Sequence, residues 1–481
     1  MTIARDAALG RDLGLLEGAG LISLAASMPE LEYVFRHALI QDAAYESLLK
    51  QERRSLHAQV ADTLLALYPE RRDELAPVLA NHFERAGDEA RAFEYLVLAA
   101  RQAAARYARK ETVEFARRAL LLLPLGDDVS AQDRHLRAEL RLMQAEAGGD
   151  FTPLDETMAL LEAVVADGEV LGDVELCARA YLSIGAQRAL SGAQIGSSPA
   201  LAEALQRATE LAEASGSAEL KALALMRTGQ AHWAALNLKE TIELLEQAVP
   251  ALVDAGCIYC ASVAAGYLGT AYGHVGDFEK AVHWTDRSYE LGVTSGDPNA
   301  SLDADLARAI VESIRGDSAA AIAYANKAAV AAKRVDNKAC AMVAHSVIGE
   351  GHLREGDHAQ AVIAFEASAG LAAFCGYLPV KVQQTELLLQ TARARGGVGE
   401  IEVARYDRAI ELARQFGDRL AEAQLFEQRA RDRIAAGQGA LAVSDLEQAQ
   451  AMFETLGATA HLRRVAELRA SCDTGAGGGS A

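Results

Sequence analysis

From residue 216 onward, turn-forming residues recur at Gly216, Gly256, Gly296, Asp336, Gly376, Gly417 and Gly457, with spacings of 40, 40, 40, 40, 41 and 40 residues. So regular a period calls for stacked copies of one supersecondary unit in place of a single globular core. A second series falls midway: GDFEKA at Gly276 to Ala281, GDSAAA at Gly316 to Ala321, GDHAQA at Gly356 to Ala361, and the looser GQGALA at Gly437 to Ala442. Two turn signals per period predict two helices per period. In Gly276-Asp277, Gly316-Asp317 and Gly356-Asp357 the glycine suits the left-handed residue that ends one helix, and the Asp oxygen caps the free N–H groups of the next. Four residues beyond each Asp stands an alanine (Ala281, Ala321, Ala361), where the second helix is expected to approach the first closely. Gly229, Gly269, Gly349 and Ala309 occupy the facing position in the preceding helices.

Composition supports an all-α chain. Apolar residues make up 51%, mostly Ala and Leu, whereas aromatics are only 5% and prolines number nine. That mixture suits close helix packing better than sheets. At 481 residues the chain exceeds one ordinary core, which again favours an array. A formal charge of -20 argues against a general nucleic-acid partner, since phosphate neutralisation needs clustered Lys and Arg. The six cysteines (Cys177, Cys257, Cys260, Cys340, Cys375, Cys472) are too sparse for a disulfide framework and point to a reducing cytoplasm. No signal-peptide core precedes a cleavage site, and apolar runs such as ALLLLPL at Ala119 to Leu125 fall far short of the roughly 20 residues that span a bilayer. The expectation is a soluble chain with no membrane partner.

The units resemble the tetratricopeptide repeat, in which Gly or Ala in the first helix is followed by a large residue three positions later and a small one twelve positions later. Gly269, Tyr272 and Ala281 match, as do Gly349, His352 and Ala361, while Gly229, His232 and Thr241 fit less well. The resemblance covers about Val174 to Arg469, with an outlying unit at Ala80 to Ala99 that carries Gly87-Asp88 and Ala92. The period departs from the usual value of about 34, and HEAT-type pairs also run near 40. The resemblance implies a superhelix whose first helices face a concave groove. That places Gln230, Trp233, Thr270, His274, Glu350 and Arg354 on the groove, with Trp233 and Arg354 the leading partner-binding residues because Trp and Arg are enriched at hot spots.

Upstream the pattern changes. Ala4 to Glu17 reads as a short amphipathic helix, and GLISL (Gly20 to Leu24) and LEYVF (Leu31 to Phe35) read as strands flanking a turn with Pro29. One helix and one hairpin make the closing half of a winged-helix domain, and a lone hairpin is marginal in water. Its packing partners are therefore expected before Met1. The stretch from Gly20 to Glu70, centred on FRHALIQDAAYESLL, resembles the junction of winged helix and helical arm in bacterial signal-transduction ATPases of the STAND type, and the resemblance covers about 100 residues, Ala8 to roughly Arg109. The matching residues are Phe35, Arg36, His37, Leu39, Asp42, Ala44, Tyr45, Leu48, Leu49, Arg54, Leu56 and His57. Many such proteins are multidomain class III adenylate or guanylate cyclases, and others are transcriptional regulators. The resemblance implies an upstream nucleotide-binding module, which Arg36 and His37 are placed to contact. The phosphate-loop signature G-x-x-x-x-G-K-[ST] is absent, and no Lys in the chain follows a Gly. Any ATPase or cyclase activity is thus expected only in further upstream domains.

Arg36, His37, Asp42 and Tyr45 are open to two readings, a nucleotide-sensing cluster or a set that fixes the junction helix by hydrogen bonds and a partly buried ion pair. Cys257-Ile-Tyr-Cys260 has C-x-x-C spacing, but no second Cys pair completes a zinc set and His232, His274 and His283 are not at finger spacing, so buried thiols are the expectation. His345 and His352 stand seven residues apart, about 10 Å along a helix and too far to share a first-row ion. No cofactor or metal is expected. The expected organisation is a winged-helix remnant (1–36), a helical arm with one repeat-like unit (37–148), a repeat superhelix (149–470) and a disordered Gly-rich tail (471–481). Function divides between a sensor arm that binds a protein, peptide or small-molecule effector in the groove and regulates the upstream module, and a stand-alone adaptor. Part of a transcriptional regulator is the weaker third reading, since no DNA-binding helix pair follows the array.

Overall fold

The chain is helical almost throughout: among the described residues, one two-stranded hairpin is the sole exception. The computed structural model describes residues 7–26, 32–106, 108–123, 129–148, 152–191, 198–297, 299–371, 379–397 and 403–475. Two compact units emerge, Met1–Gly148 and Gly149–Ala481.

In the first unit, helix α1 (Ala7–Gly18) leads into strands β1 (Ile22–Ala26) and β2 (Glu32–Phe35). They pair antiparallel with Ile22 opposite Phe35 and Leu24 opposite Tyr33. Residues Ala4 to Asp6, Pro29 and Leu31 lie outside the described residues. The hairpin buries Ile22 but leaves Leu24, Val34 and Phe35 exposed. Helix α2 (Ala38–Glu46) buries nothing. Then follow α3 (Lys50–Leu67), α4 (Ala76–Ala86), α5 (Glu89–Ala105), α6 (Arg109–Leu122) and α7 (Ala131–Gly148). Their shared core includes Leu79, Phe83, Leu96, Ala116 and Leu140. The α4–α5 turn is built as its sequence demands: Gly87 takes φ 79° and the Asp88 side chain accepts the Arg91 backbone N–H at 3.1 Å.

The second unit is a run of helix pairs: α8 (Leu154–Leu171) and α9 (Val174–Leu190), α10 (Pro199–Ser215) and α11 (Ala218–Ala234), α12 (Leu238–Asp254) and α13 (Ile258–Val275), α14 (Phe278–Ser295) and α15 (Ala300–Arg315). It continues with α16 (Ser318–Arg334) and α17 (Lys338–Glu355), α18 (His358–Gly370) and α19 (Pro379–Arg395), α20 (Val403–Phe416) and α21 (Arg419–Ala435), and α22 (Gly439–Leu456) and α23 (Thr459–Gly475). Gly276, Gly316 and Gly356 are left-handed, and the following Asp277, Asp317 and Asp357 accept backbone N–H groups at 3.0–3.1 Å. The looser GQGALA turn keeps its glycine, Gly437 at φ 72°, but Gln438 makes no capping bond. Asp336 fills the punctuating position at φ 55°, a conformation that Asp tolerates better than most residues.

Close approach explains the small residues. A Cβ at Gly349 would lie 2.6 Å from the Phe365 ring, and one at Gly269 would lie 2.7 Å from Thr285 Cγ2. Ala281, Ala321 and Ala361 are fully buried at the same crossings. Helices α9, α11, α13, α15, α17, α19 and α21 touch one another in succession, whereas the alternate helices meet chiefly these, so the former line the inner, concave side. They are the helices that begin just after the 40-residue punctuation. The all-α superhelix expected from periodicity is therefore the architecture of this unit.

The array curls until its last helix meets its middle. Helix α23 touches α13, α15 and α21. One apolar cluster joins Leu236, Leu238 and Ala271 to Leu446, Phe453 and Val465. Leu236 stands where the register calls for glycine, 40 residues before Gly276, and it adopts φ 52°. A left-handed leucine costs about 1–2 kcal/mol. Its side chain, 4% exposed in the closing cluster, offsets that cost.

Candidate binding site on the inner face

The inner helices bring polar side chains together where α23 closes the array. His274, near the end of α13, is 3% exposed and its Nδ1 lies 3.0 Å from Nε2 of His461 near the start of α23. The two rings are near-parallel, at 13° with centroids 5.2 Å apart, and Phe453 stacks on His461 at 4.6 Å. Arg464 Nη2 lies 2.5 Å from His461 Nδ1. Since a guanidinium only donates, Nδ1 of His461 accepts, its Nε2–H donates to His274, and both rings are neutral. Burial lowers the His274 pKa to about 4, with Arg464 adding to the effect. Burial also holds His461 well below the usual range, and Arg464, His274 and Arg354 reinforce it.

Beside this pair lies a cavity of about 320 Å³, lined by Ser313, Gly316, Arg354, Arg431, Arg464, Glu467, Leu468 and Ser471. Four inner helices, α15, α17, α21 and α23, supply these residues. Arg354 donates to the Ser313 carbonyl and hydroxyl, both at 2.8 Å. Arg431 donates to the Glu427 carboxylate at 2.6 Å, and Arg464 reaches the same carboxylate at 3.3 and 3.4 Å and the Ile314 carbonyl at 3.4 Å. Burial alone would raise the Glu427 pKa, but Arg464 and Arg431 outweigh it and hold the carboxyl below its usual range. Arg354 is lowered by burial, and the like charges of Arg464 and Arg431 are among its perturbers.

The six residues expected on the groove separate into four groups. Arg354 lines the cavity, and Glu350 sits beside it at 3.6 Å and faces Lys381 at 3.8 Å. Trp233 and Thr270 meet away from the cavity: the indole N–H donates to Thr270 Oγ1 at 2.8 Å, and Trp233 packs edge-on to Tyr267 and against the closing cluster. Gln230 accepts from Arg227 at 2.9 Å. His274 departs from the expectation of an open groove, because α23 covers it and a partner would reach it only with that helix displaced. The cavity residues Arg431 and Ser471 were legible by register, since each stands fourteen residues after its punctuating residue, as Gln230, Thr270 and Glu350 do after theirs. Arg464 and His461 stand early in their helix and carry no such signal.

At the junction, Arg36, His37 and Asp42 are exposed, and among the described residues none of the three takes part in an ion pair. The partly buried ion pair expected there is thus replaced by a different arrangement: the Tyr45 hydroxyl lies 3.1 Å from His57 Nε2, and His57 Nδ1 lies 2.9 Å from His82 Nδ1. Arg36 and His37 precede α2 in a bend instead of sitting within a helix, with His37 at the cap position. Cys257 and Cys260 form no disulfide and are partly exposed at the start of α13. Burial, with Glu219 nearby, pushes the Cys257 thiol up to about 12, so it does not present a thiolate.

No family model and no curated protein matches this sequence. The fold is that of the tetratricopeptide-like helical repeat proteins. A Rap protein solved in complex with Competence and Sporulation Factor superposes with a TM-score of 0.59 at 12% identity, covering 76% of this chain and 98% of its own. A STAND protein with a tetratricopeptide repeat sensor from Pyrococcus horikoshii gives a TM-score of 0.44 at 14% identity, covering 95% of this chain and 60% of its own. NprR in complex with its cognate peptide NprX gives 0.45 at 15% identity, covering 70% of this chain and 99% of its own.

Proposed function

We propose that this chain is a repeat sensor and scaffold, binding a protein or peptide partner on the inner face of its second unit and passing that event to a nucleotide-dependent module of a STAND-type signalling protein. The observation that carries the binding half is the cavity at the closure, where four inner helices converge on Arg354, Arg431 and Arg464. Because α23 supplies Arg464, Glu467, Leu468 and Ser471, a ligand there bridges the last helix to the middle of the array and favours the closed form. The superposed Rap protein, held with Competence and Sporulation Factor, supports a binding role for such a superhelix.

The regulatory half rests on the resemblance at residues 35–57 and on apolar surface in the first unit. Leu15 is 68% exposed, Leu39 is 81% exposed, and Leu24, Val34 and Phe35 are uncovered nearby in sequence. A surface of this kind suits a docked neighbour. Arg36 and His37, exposed at the same junction, are the residues proposed to face the nucleotide module.

The test is capture of a partner from a lysate of the producing cells on immobilised chain, with Trp233→Ala and Arg354→Ala compared at matched helicity. Loss of a specific partner in folded variants supports the inner face; unchanged capture removes it. Reading the DNA upstream of the start codon addresses the module. An in-frame glycine-rich phosphate loop supports the sensor arm, and a stop codon with its own promoter supports the stand-alone adaptor.

A further inference from the structure

Within so acidic a chain, three guanidiniums around one cavity need a counter-charge. Arg354 comes from the end of α17, Arg431 from the second half of α21 and Arg464 from the first half of α23, and all three line the space near Ser313 and Ser471. Two carboxylates answer them. Glu427, 5% exposed, is shared by Arg431 and Arg464, and Glu467 lies on the lining. Glu350 approaches Arg354, but Lys381 stands 3.8 Å from it and balances it. The remaining bonds of Arg354 and Arg464 go to neutral acceptors, the Ser313 carbonyl and hydroxyl, the Ile314 carbonyl and the His461 ring. One positive charge is therefore left over at the cavity.

We infer that this cavity is a carboxylate-binding site that takes an acidic side chain, Asp or Glu, of an extended peptide partner. The inference rests on the reading of the inner face as the binding surface and adds the chemistry of what is bound there. A single residual charge matches a carboxylate, whereas a phosphate dianion would leave an uncompensated negative charge beside Glu427 and Glu467. Guanidinium forks pair with carboxylates through two parallel N–H···O bonds, which gives direction as well as energy. The space of about 320 Å³ lies at the small end of ligand sites and fits one side chain with its flanking backbone. Leu468 supplies an apolar wall for the methylene stem, and the Ser313 hydroxyl, which accepts from Arg354, has its own proton to donate.

The test uses the full chain and three capped tripeptides, Ala-Asp-Ala, Ala-Asn-Ala and Ala-phosphoserine-Ala, titrated by calorimetry at fixed ionic strength. The Asp peptide is expected to bind about tenfold or more tighter than its Asn isostere, one charge-assisted pair being worth about that factor. Arg431→Gln should remove that preference, Arg431→Lys should restore part of it, and Arg207→Gln on α10, away from the cavity, should leave it intact. Equal affinities for the Asp and Asn peptides, an Asp preference that survives Arg431→Gln, or tighter binding of the phosphoserine peptide overturns the assignment. If the Asp preference is missing while Trp233→Ala still abolishes partner capture, the carboxylate site falls and the scaffold reading stands. Loss of both removes the inner face as a binding surface.

Discussion

His274 and His461, 187 residues apart in sequence, share a 3.0 Å hydrogen bond between near-parallel rings at the point where the repeat array closes on itself. Arg464 fixes the tautomer by donating to the outer nitrogen of His461, so the pair works as two neutral rings. The contact holds α23 against α13 and puts Arg464 at the edge of the cavity. A surface that would otherwise be an open trough thus becomes a lined pocket.

Acid should loosen this closure. Both histidines have pKa values lowered by burial, that of His274 to about 4, whereas an unfolded histidine titrates near 6.5. Above pH 6.5 the rings are neutral in both states and nothing is lost. As pH falls from 6.5 toward 4, the unfolded chain takes up protons that the folded chain refuses, and stability declines. Thermal melts across this range should show Tm falling, with a shallower slope in a His274→Gln/His461→Gln variant; identical slopes would contradict neutral burial.

The helix crossings set a second expectation. Gly349→Ala places a methyl 2.6 Å from the Phe365 ring, which is fully buried, so the pair α17–α18 must shift. Overpacking of this kind costs about 1–3 kcal/mol. By comparison Gly14→Ala in α1 meets nothing within 4 Å and should be neutral or stabilising by up to about 1 kcal/mol from helix propensity. Denaturant melts of the two variants measure the contrast.

Between α21 and α22 lies a buried ion network. Arg429 holds Asp445 through Nε and Nη2, and Arg433 reaches the same carboxylate at 2.6 Å. Asp445 is 2% exposed, so Asp445→Ala leaves Arg433 without its carboxylate and Arg429 with only the exposed Asp407, both facing a buried gap. Breaking one partner of a buried pair costs about 3–5 kcal/mol. Urea unfolding should show a loss of that order, and a loss below about 1 kcal/mol would mean the network is solvated.

Leu236 tests whether closure offsets backbone strain. Leu236→Gly relieves about 1–2 kcal/mol of left-handed conformation but removes a buried leucine side chain, whose truncation costs about 2.7–5.0 kcal/mol. Net destabilisation of about 1–4 kcal/mol is expected. Asp336→Gly, at an exposed left-handed position, should instead be neutral or mildly stabilising. Parallel melts of the two variants separate strain from packing.

Local structure was legible because local chemistry sets it: the 40-residue register marks where each helix starts, the Gly-Asp turns cap as their side chains require, and Gly269 and Gly349 stand where helices cross. Register also reaches part of the site, since Arg431 and Ser471 hold the same position after their turns as Thr270 and Glu350. Closure was not legible. Where the array meets itself depends on small rotations summed over several repeats, and no single residue encodes that sum. Hence His461 and Arg464, ordinary surface-type residues of a last helix, gave no hint that they face His274 and Ile314. The junction misled for a related reason: Tyr45 finds His57, which in turn meets His82 on the next helix, while Arg36 and Asp42, its sequence companions, stay in solvent.

Closure of the array by α23 is tested most directly by a double-mutant cycle of His274→Ala and His461→Ala, read by equilibrium unfolding. Residues in contact show interaction energies of about 0.5–3 kcal/mol, and a coupling in that range is the expected result. Additive effects, within about 0.3–0.5 kcal/mol, would mean that the last helix does not meet the middle of the array and that the arginine-lined cavity is not formed.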